Sequence, residues 1–291
     1  MKRIQDWLNK YFVPGALKFS KNDYVQAIQH GVMGSVGVLT IGGLLSIIQT
    51  PPITGTPTGI MLAWKNFSMV NAEWLNVATT FSMKAIALYA VVGIAFSLAR
   101  SKKLPELNAM VTALVSFFIL SVKLTKVDGF GDVMTIGNLS SGGLFTAIIV
   151  GLSVVALINF FTKKGIKLKM PEAVPANVAA PFEALIATLA VVLISIGIRV
   201  FLAANFKILF PDLISVILRP VLVAGDSLPV LMLAMILMRT LWSFGIHGTS
   251  IVMAPLYPIL IANTIENVEA YSAGLPIPNI FAAGFFSYQL G

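Results

Sequence analysis

The stretch LFTAIIVGLSVVALINFF, residues 144–161, decides the fold class of this chain. Its 18 residues include no charged side chain, and a helix of about 18 or more apolar residues is long enough to cross the hydrocarbon core of a bilayer. The stretch GVMGSVGVLTIGGLLSII, residues 31–48, has the same length and is also uncharged. Two such stretches predict an integral membrane protein.

The composition of the whole chain supports the same class. Of the 291 residues, 57% are hydrophobic and 11% are charged, whereas soluble domains average about 25% charged residues. The chain has no cysteine, which excludes disulfides, thiolate catalysis and cysteine-ligated metal. It also lacks a HExxH motif, a P-loop, a dinucleotide fingerprint and a GxSxG elbow, so we predict no metal site, no cofactor and no catalytic residue.

Hydrophobic runs predict an all-α fold with about six transmembrane helices. Prolines at both ends of PDLISVILRP, residues 211–220, predict an interfacial helix there. The apolar run that follows His247 contains Pro255 and Pro258, which predict an interrupted segment of the kind found in re-entrant hairpins. The six spans are predicted at residues 25–48, 79–99, 107–122, 144–161, 184–204 and 228–242.

The net charge of +8 is explained by membrane orientation and not by nucleic-acid binding. Twelve lysines and arginines lie before the first span and after the second and fourth, and three lie in the alternate loops. The positive-inside bias therefore predicts a cytoplasmic N-terminus in a multi-pass protein of the cytoplasmic membrane. Residues 1–24 read as an amphipathic lead-in whose apolar side chains lie against the membrane, namely Trp7, Leu8, Tyr11 and Phe12.

The segment LMRTLWSFGIHGTSIVMAP, residues 237–255, carries the candidate binding residues. His247 lies between Gly245 and Gly248, which leave room for unusual backbone angles and for close approach of a ligand. A neutral imidazole donates one hydrogen bond and accepts one, so it can bind a hydroxyl or take its proton. We expect this ring in a polar hollow within the membrane, with the flat face of Trp242 nearby. The alternative for His247 is a buried ring bonded to a carbonyl.

Other ionisable residues of the apolar segments have simpler explanations. Lys84, Glu183 and Arg199 lie near the ends of predicted spans, where long side chains reach the headgroups. Arg239, eight residues before His247, either neutralises an acidic group or a phosphate or approaches an interface. His30 reads as an interfacial polar residue. Small residues four apart, Gly31 and Ser35, predict close helix packing, and the polar residues Asn138, Ser140 and Ser141 predict caps for the fourth span.

Three segments and the opening of the chain carry a family resemblance. They are LSSGGLFTAIIVGL (139–152), KKGIKLKMPEAVPANVAAPFEAL (163–185) and LWSFGIHG (241–248), preceded by a cationic amphipathic start that ends in YFVP. Together they resemble the membrane IIC subunit of the bacterial phosphotransferase system, lactose/cellobiose family. The resemblance extends over nearly the whole chain and implies one IIC-like membrane domain.

The resemblance implies a sugar permease for β-linked disaccharides such as cellobiose, chitobiose derivatives and lactose. It implies IIA and IIB as partners, a homodimer, a scaffold and dimerisation part at residues 25–204, and a partial sugar-binding part at residues 205–291. His247 matches the family histidine that contacts the sugar hydroxyl to be phosphorylated. Trp242 matches a family tryptophan near the sugar. Arg239 is the third candidate for binding the substrate. The phosphoryl carrier is expected on IIB and not on this chain.

The chain departs from the family pattern at its C-terminal end. It ends in GFFSYQLG, without the NEP motif whose glutamate shares the sugar hydroxyl and without the membrane segments that follow. We therefore expect a C-terminally incomplete IIC-like chain that resembles about two thirds of a full-length member. A natural short form, a disrupted gene product and a fragment all fit this pattern. The alternative function is a truncated, non-transporting membrane interaction protein of the same fold; a membrane enzyme that uses His247 as a base is the weakest hypothesis.

Overall fold

The part of the chain that the structure describes is mostly helical. The computed structural model describes residues 10, 12–53, 55–168, 170, 179 and 182–284. A short antiparallel hairpin of two strands, β1 (Leu124–Val127) and β2 (Gly131–Met134), lies outside the helices and was not predicted. The helices are α1 (Val13–Ser20), α2 (Asp23–Met33), α3 (Val36–Gln49), α4 (Gly59–Val70), α5 (Ala72–Ser82), α6 (Ile86–Ser101), α7 (Glu106–Ser121), α8 (Ser141–Lys163), α9 (Leu185–Phe206), α10 (Phe210–Gly225), α11 (Leu228–Ser243) and α12 (Gly248–Ser272).

Five helical segments among the described residues are long and apolar enough to cross a membrane. Three of them contain the spans predicted at 25–48, 79–99 and 144–161, and a fourth matches the span predicted at 184–204 to within two residues at each end, which confirms an all-α multi-pass membrane protein. The first two consist of α2 with α3 and of α5 with α6. The predicted lead-in is represented by α1, whereas Trp7, Leu8 and Tyr11 lie outside the described residues. The five segments are Asp23–Gln49, Ala72–Ser101, Ser141–Lys163, Leu185–Phe206 and Gly248–Ser272.

The fifth segment, α12, corrects the prediction for the run after His247. Its 25 residues continue through Pro255 and Pro258 as one helix, so neither proline interrupts it. Each proline removes only one backbone donor, and neighbouring helices and local adjustments accommodate such a loss in membrane helices. The predicted span at 107–122 becomes α7, an apolar helix of 16 residues and therefore shorter than the five crossing segments.

The region before α12 also differs from its prediction. The expected interfacial helix at 211–220 is longer: α10 starts at Phe210 and continues past Pro220 to Gly225. At its start, the Asp212 carboxylate accepts a hydrogen bond of 2.8 Å from the amide of Leu209. Together α10 and α11 meet the length and hydropathy requirements of one crossing but are bent by 68° at their junction, as in a broken span or a re-entrant loop.

Helix α6 forms the centre of the main apolar core. One face of α6 is fully buried from end to end and includes Ala87, Val91, Ile94 and Leu98. Helix α2 crosses it where Gly31 meets Gly93 and Ile94, and the close approach predicted for Gly31 is therefore confirmed. The same core extends through α7 and α8 to α12, so the scaffold and the sugar-binding part predicted from the sequence share one core.

Several polar residues have partners other than the predicted ones. Arg199 donates hydrogen bonds to the carbonyls of Ile119 and Val122, the latter at 2.7 Å, and so neutralises the C-terminal end of α7. Glu183 forms an ion pair with Lys167 at 2.7 Å. Lys84 lies at the break between α5 and α6.

The polar residues before α8 do not cap it with their side chains. The side-chain Nδ2 of Asn138 donates a hydrogen bond to the carbonyl of Ser121 at 2.8 Å. The hydroxyl of Ser140 donates to the Glu269 carboxylate at 2.6 Å, because α12 packs its last turns against the start of α8. The predicted caps are therefore wrong, and Ser140 instead ties these two helices together.

Candidate functional site

The FGIHG turn connects α11 and α12 into a helical hairpin. At the end of α11, Gly245 has φ of +74°, a left-handed conformation that glycine adopts without steric cost. The amide of Gly245 donates to the carbonyl of Trp242 at 2.9 Å, and the amide of Ile246 to that of Leu241 at 3.1 Å. These two bonds form a Schellman motif, which ends the helix. His247 then starts α12 directly.

His247 is the N-cap residue of α12. Its Nδ1 accepts a hydrogen bond of 3.2 Å from the amide of Ser250 and lies 2.8 Å from the Ser250 hydroxyl. Because Nδ1 acts as an acceptor, the neutral ring carries its proton on Nε2. The free side of the ring therefore offers a hydrogen-bond donor, which suits binding of a ligand oxygen. Acting as a base at Nε2 requires the other tautomer and the loss of the cap.

Trp242 lies beside this ring, as the sequence predicted. The two ring centroids are 4.7 Å apart, with an angle of 49° between the planes. The Trp242 side chain is half-exposed. An indole next to an N–H donor presents an apolar surface and a polar group side by side, which matches the apolar face and hydroxyl edge of a sugar ring.

The expected polar hollow around His247 is not present among the described residues. His247 is exposed, whereas Leu241 and Gly248 on the other side of the hairpin are buried. A Cβ on Gly248 would lie 2.3 Å from the carbonyl oxygen of Met238. Gly248 therefore allows close packing between α11 and α12 and does not provide access for a ligand. The His247 ring is exposed on the other side of the hairpin.

Arg239 lies on α11, three residues before Trp242. Residues three apart on a helix are neighbours on one face, so Arg239 and Trp242 lie side by side. The guanidinium is exposed and has no hydrogen bond or ion pair with any residue that the structure describes. It is therefore placed next to the Trp242 and His247 pair and free to interact with a ligand.

One residue that orients the site escaped the sequence analysis. Ser250 fixes the tautomer and direction of the His247 ring through its amide and hydroxyl. Its position, three residues after the helix start, is the one from which an N-cap side chain receives an amide hydrogen bond. The sequence shows this spacing once His247 is recognised as a cap. The prediction missed it because it treated Pro255 and Pro258 as interruptions of the run.

A sequence profile of the family described as "Phosphotransferase system, EIIC" matches residues 29–291. The chain belongs to this family. The resemblance that the sequence motifs indicated is thus confirmed, and the profile covers the FGIHG turn, most of the first crossing segment and all of the other four.

Relatives with assigned names agree with this membership. The chain is 30% identical to the PTS system cellobiose-specific EIIC component of Geobacillus stearothermophilus, over 98% of this chain and 65% of that protein. It is also 30% identical to the PTS system lactose-specific EIICB component of Lacticaseibacillus casei, over 100% of this chain and 49% of that protein.

A solved structure supports the fold. The transporter ChbC, the IIC component from the N,N'-diacetylchitobiose-specific phosphotransferase system, superposes with a TM-score of 0.83 at 28% sequence identity. The similarity covers 96% of this chain and 66% of the ChbC chain. The chain thus spans less than two thirds of the cellobiose-specific and ChbC chains and about half of the lactose-specific EIICB component, close to the share expected from the sequence.

Proposed function

We propose that this chain is a sugar permease subunit of the phosphoenolpyruvate-dependent phosphotransferase system and binds a β-linked disaccharide. The observation that carries this proposal is the His247 ring, held with Nε2–H outward beside the indole of Trp242. The names of the cellobiose-specific and chitobiose-specific family members support the substrate class. Arg239, on the same face, is proposed to contact the sugar.

The proposed phosphoryl donor is a IIB protein, itself supplied by IIA. The lactose-specific relative is named an EIICB component, which supports a IIB partner. No phosphoryl carrier is needed on this chain. The His247 ring donates a hydrogen bond to the sugar hydroxyl that is to be phosphorylated, and the phosphoryl group comes from the partner. A homodimer in the bacterial cytoplasmic membrane completes the proposal, with residues 25–204 as scaffold and 205–291 as part of the sugar-binding unit.

The position of His247 along α12 fits phosphorylation from the cytoplasm. Glu269, near the end of α12, contacts Ser140 at the start of α8, so the two helices run in opposite directions. His247 lies 22 positions before Glu269, which corresponds to about 33 Å along a helix. It therefore belongs to the side of the membrane where α8 ends in the basic residues Lys163 and Lys164, which is the cytoplasmic side in the predicted orientation.

Direct binding tests the proposed function against the alternative. We expect the purified full chain to bind cellobiose in isothermal titration calorimetry with a Kd in the micromolar to millimolar range, and to bind the α-linked disaccharide maltose at least about tenfold more weakly, a difference of about 1.4 kcal/mol. Absence of binding for cellobiose, chitobiose and lactose alike would support the truncated, non-transporting interaction protein instead.

Reporter fusions test the predicted orientation. A fluorescent reporter that matures only in the cytoplasm is expected to be active when fused after Lys164, because the positive-inside bias retains that loop. The matched fusion site is after Gly129, in the turn between β1 and β2. At this site we expect the fluorescent reporter to be inactive and a phosphatase that works only after export to be active. An active phosphatase after Lys164 together with an active fluorescent reporter after Gly129 would show that the predicted orientation is reversed.

A further inference from the structure

A cavity with both apolar and polar lining lies against the half of α12 that is farther from His247. Its volume is about 600 Å³, and its walls come from the start of α8, from α10, from the second half of α12 and from residues 278–279. Cavities of about 300–1,000 Å³ hold small organic ligands. The lining combines apolar groups of Phe145, Leu218 and Leu222 with polar groups of Ser141, Asn263 and Glu266.

One wall of the cavity offers hydrogen-bond acceptors. The Oε2 of Glu266 accepts a hydrogen bond of 2.9 Å from the side-chain Nδ2 of Asn279, and its Oε1 has no partner among the described residues. Asn263 is 5% exposed and uses its amide nitrogen for the carbonyl of Phe281 at 2.8 Å and the Asp226 carboxylate at 3.3 Å. The amide oxygen of Asn263 receives no hydrogen bond from the part of the chain that the structure describes. Two acceptors are thus available to a ligand.

Asp226 also lines this cavity, but its carboxylate is already occupied. Its oxygens accept from the backbone amides of Ile280 and Phe281, at 3.0 Å and 2.7 Å. These bonds fix the segment that closes one side of the cavity. Asp226 therefore shapes the cavity, whereas Glu266 and Asn263 keep free acceptors.

The facing wall offers donors. Ser141 is 8% exposed, and its hydroxyl has no hydrogen-bond partner among the described residues. The backbone amides of Ser141 and Gly142, in the first turn of α8, are likewise without acceptors there because the first amides of a helix have no intrahelical partner. A Cβ on Gly142 would meet nothing closer than 3.9 Å, so a ligand can approach this backbone directly. Ser141 lines the cavity, so its hydroxyl is available to a ligand or a water there.

The pairing of these walls favours a neutral polyhydroxy ligand over an ion. A helix N-terminus attracts anions, but the carboxylates of Glu266 and Asp226 oppose an anion. Ca²⁺ takes six to eight oxygen ligands and Mg²⁺ six, and the described residues contain no group of three or more acidic or histidine side chains suited to metal. Sugar hydroxyls both donate and accept hydrogen bonds, so they can pair with the donors of one wall and the acceptors of the other. Phe145 and Leu222 cover the apolar face of the sugar ring.

We propose that this cavity is a second carbohydrate subsite, on the side of the membrane opposite to His247, at which the sugar binds through the free groups of Ser141, Gly142, Asn263 and Glu266. The proposal rests on the proposed sugar permease function and adds an outer subsite to it. In the predicted orientation the cavity faces the cell exterior, because Ser140 and Ser141 lie at the end of α8 opposite to the basic loop.

The test uses cellobiose titrations of the purified full chain in wild-type and variant forms. Gly142→Leu fills the open space above the backbone, and Gly197→Leu is the matched control because nothing lies within 4 Å of a Cβ at that exposed position of α9. Ser141→Ala removes only the hydroxyl without a partner. In the His247→Ala protein, we expect a weaker cellobiose-binding step to persist. Adding Gly142→Leu is expected to abolish this step, and adding Ser141→Ala to weaken it about fivefold. Adding the control Gly197→Leu is expected to leave it unchanged.

The outcomes separate the two proposals. If the wild type binds cellobiose and neither Gly142→Leu nor Ser141→Ala alters any binding step, the outer subsite is wrong and the proposed function stands. A His247→Ala protein with no residual binding also overturns the subsite. If the wild type binds no β-linked disaccharide, both proposals fail. Equal melting temperatures of Ser141→Ala and the wild type are expected, since the hydroxyl stabilises no contact within the described chain.

Discussion

Replacing His247 with alanine is expected to weaken cellobiose binding at the stronger step at least about tenfold, or about 1.4 kcal/mol. The substitution removes the outward Nε2–H donor, which the Ser250 amide fixes in place through Nδ1. It also removes the indole's neighbour, whose ring centroid lies 4.7 Å away. Loss of a preorganised donor removes one hydrogen bond to the sugar, which is worth about 0.5–1.5 kcal/mol, and the contact with the ring.

Two further variants separate binding from stability. His247→Asn keeps an N-cap side chain, since asparagine is among the best cap residues, but it does not place a donor where Nε2–H lies. We expect it to fold as stably as the wild type and to lose binding as His247→Ala does. The other histidine of the chain provides the control: His30→Ala, on α2, is expected to bind normally. Unchanged affinity in both His247 variants would remove the basis of the proposed site.

Replacing Gly31 with leucine is expected to destabilise the chain by about 3 kcal/mol or more. A Cβ at Gly31 would lie 2.5 Å from the backbone nitrogen of Ile94, so even the first side-chain atom forces α2 away from α6. A backbone neighbour cannot change rotamer to make room. Separation of these helices exposes Ile94, which is fully buried. We expect a fall of several degrees in the melting temperature in detergent and a larger aggregated fraction in size-exclusion chromatography.

The matched control for this variant lies in the same membrane span. Gly37, on α3, is exposed and has nothing within 4 Å of a Cβ position. Gly37→Leu adds the same apolar surface, removes the same glycine flexibility and should leave the melting temperature near that of the wild type. A similar loss in both variants would show that the effect arises from glycine itself and not from the crossing of α2 and α6.

Most of the membrane architecture was predictable because hydropathy is a local property. The uncharged runs at 31–48 and 144–161 are long enough to span a bilayer whatever their neighbours are, and both lie within crossing helices. The length of α12 was not predictable from Pro255 and Pro258. Whether a proline ends a helix depends on the helices packed around it, such as α11, and this information is absent from the local sequence.

The candidate site divides in the same way. The sequence by itself determined the family and the helical membrane class, and it singled out His247 and Trp242 as candidates because the FGIHG turn is a contiguous motif with Gly245 at the end of α11. Only the tertiary structure decided that the imidazole caps α12 with Nε2–H outward and that its ring is exposed. It also brought Ser141 into one cavity with Asn263 and Glu266. Ser141 lies more than 100 positions before the other two in the chain, and it meets them only because α8 and α12 pack in opposite directions.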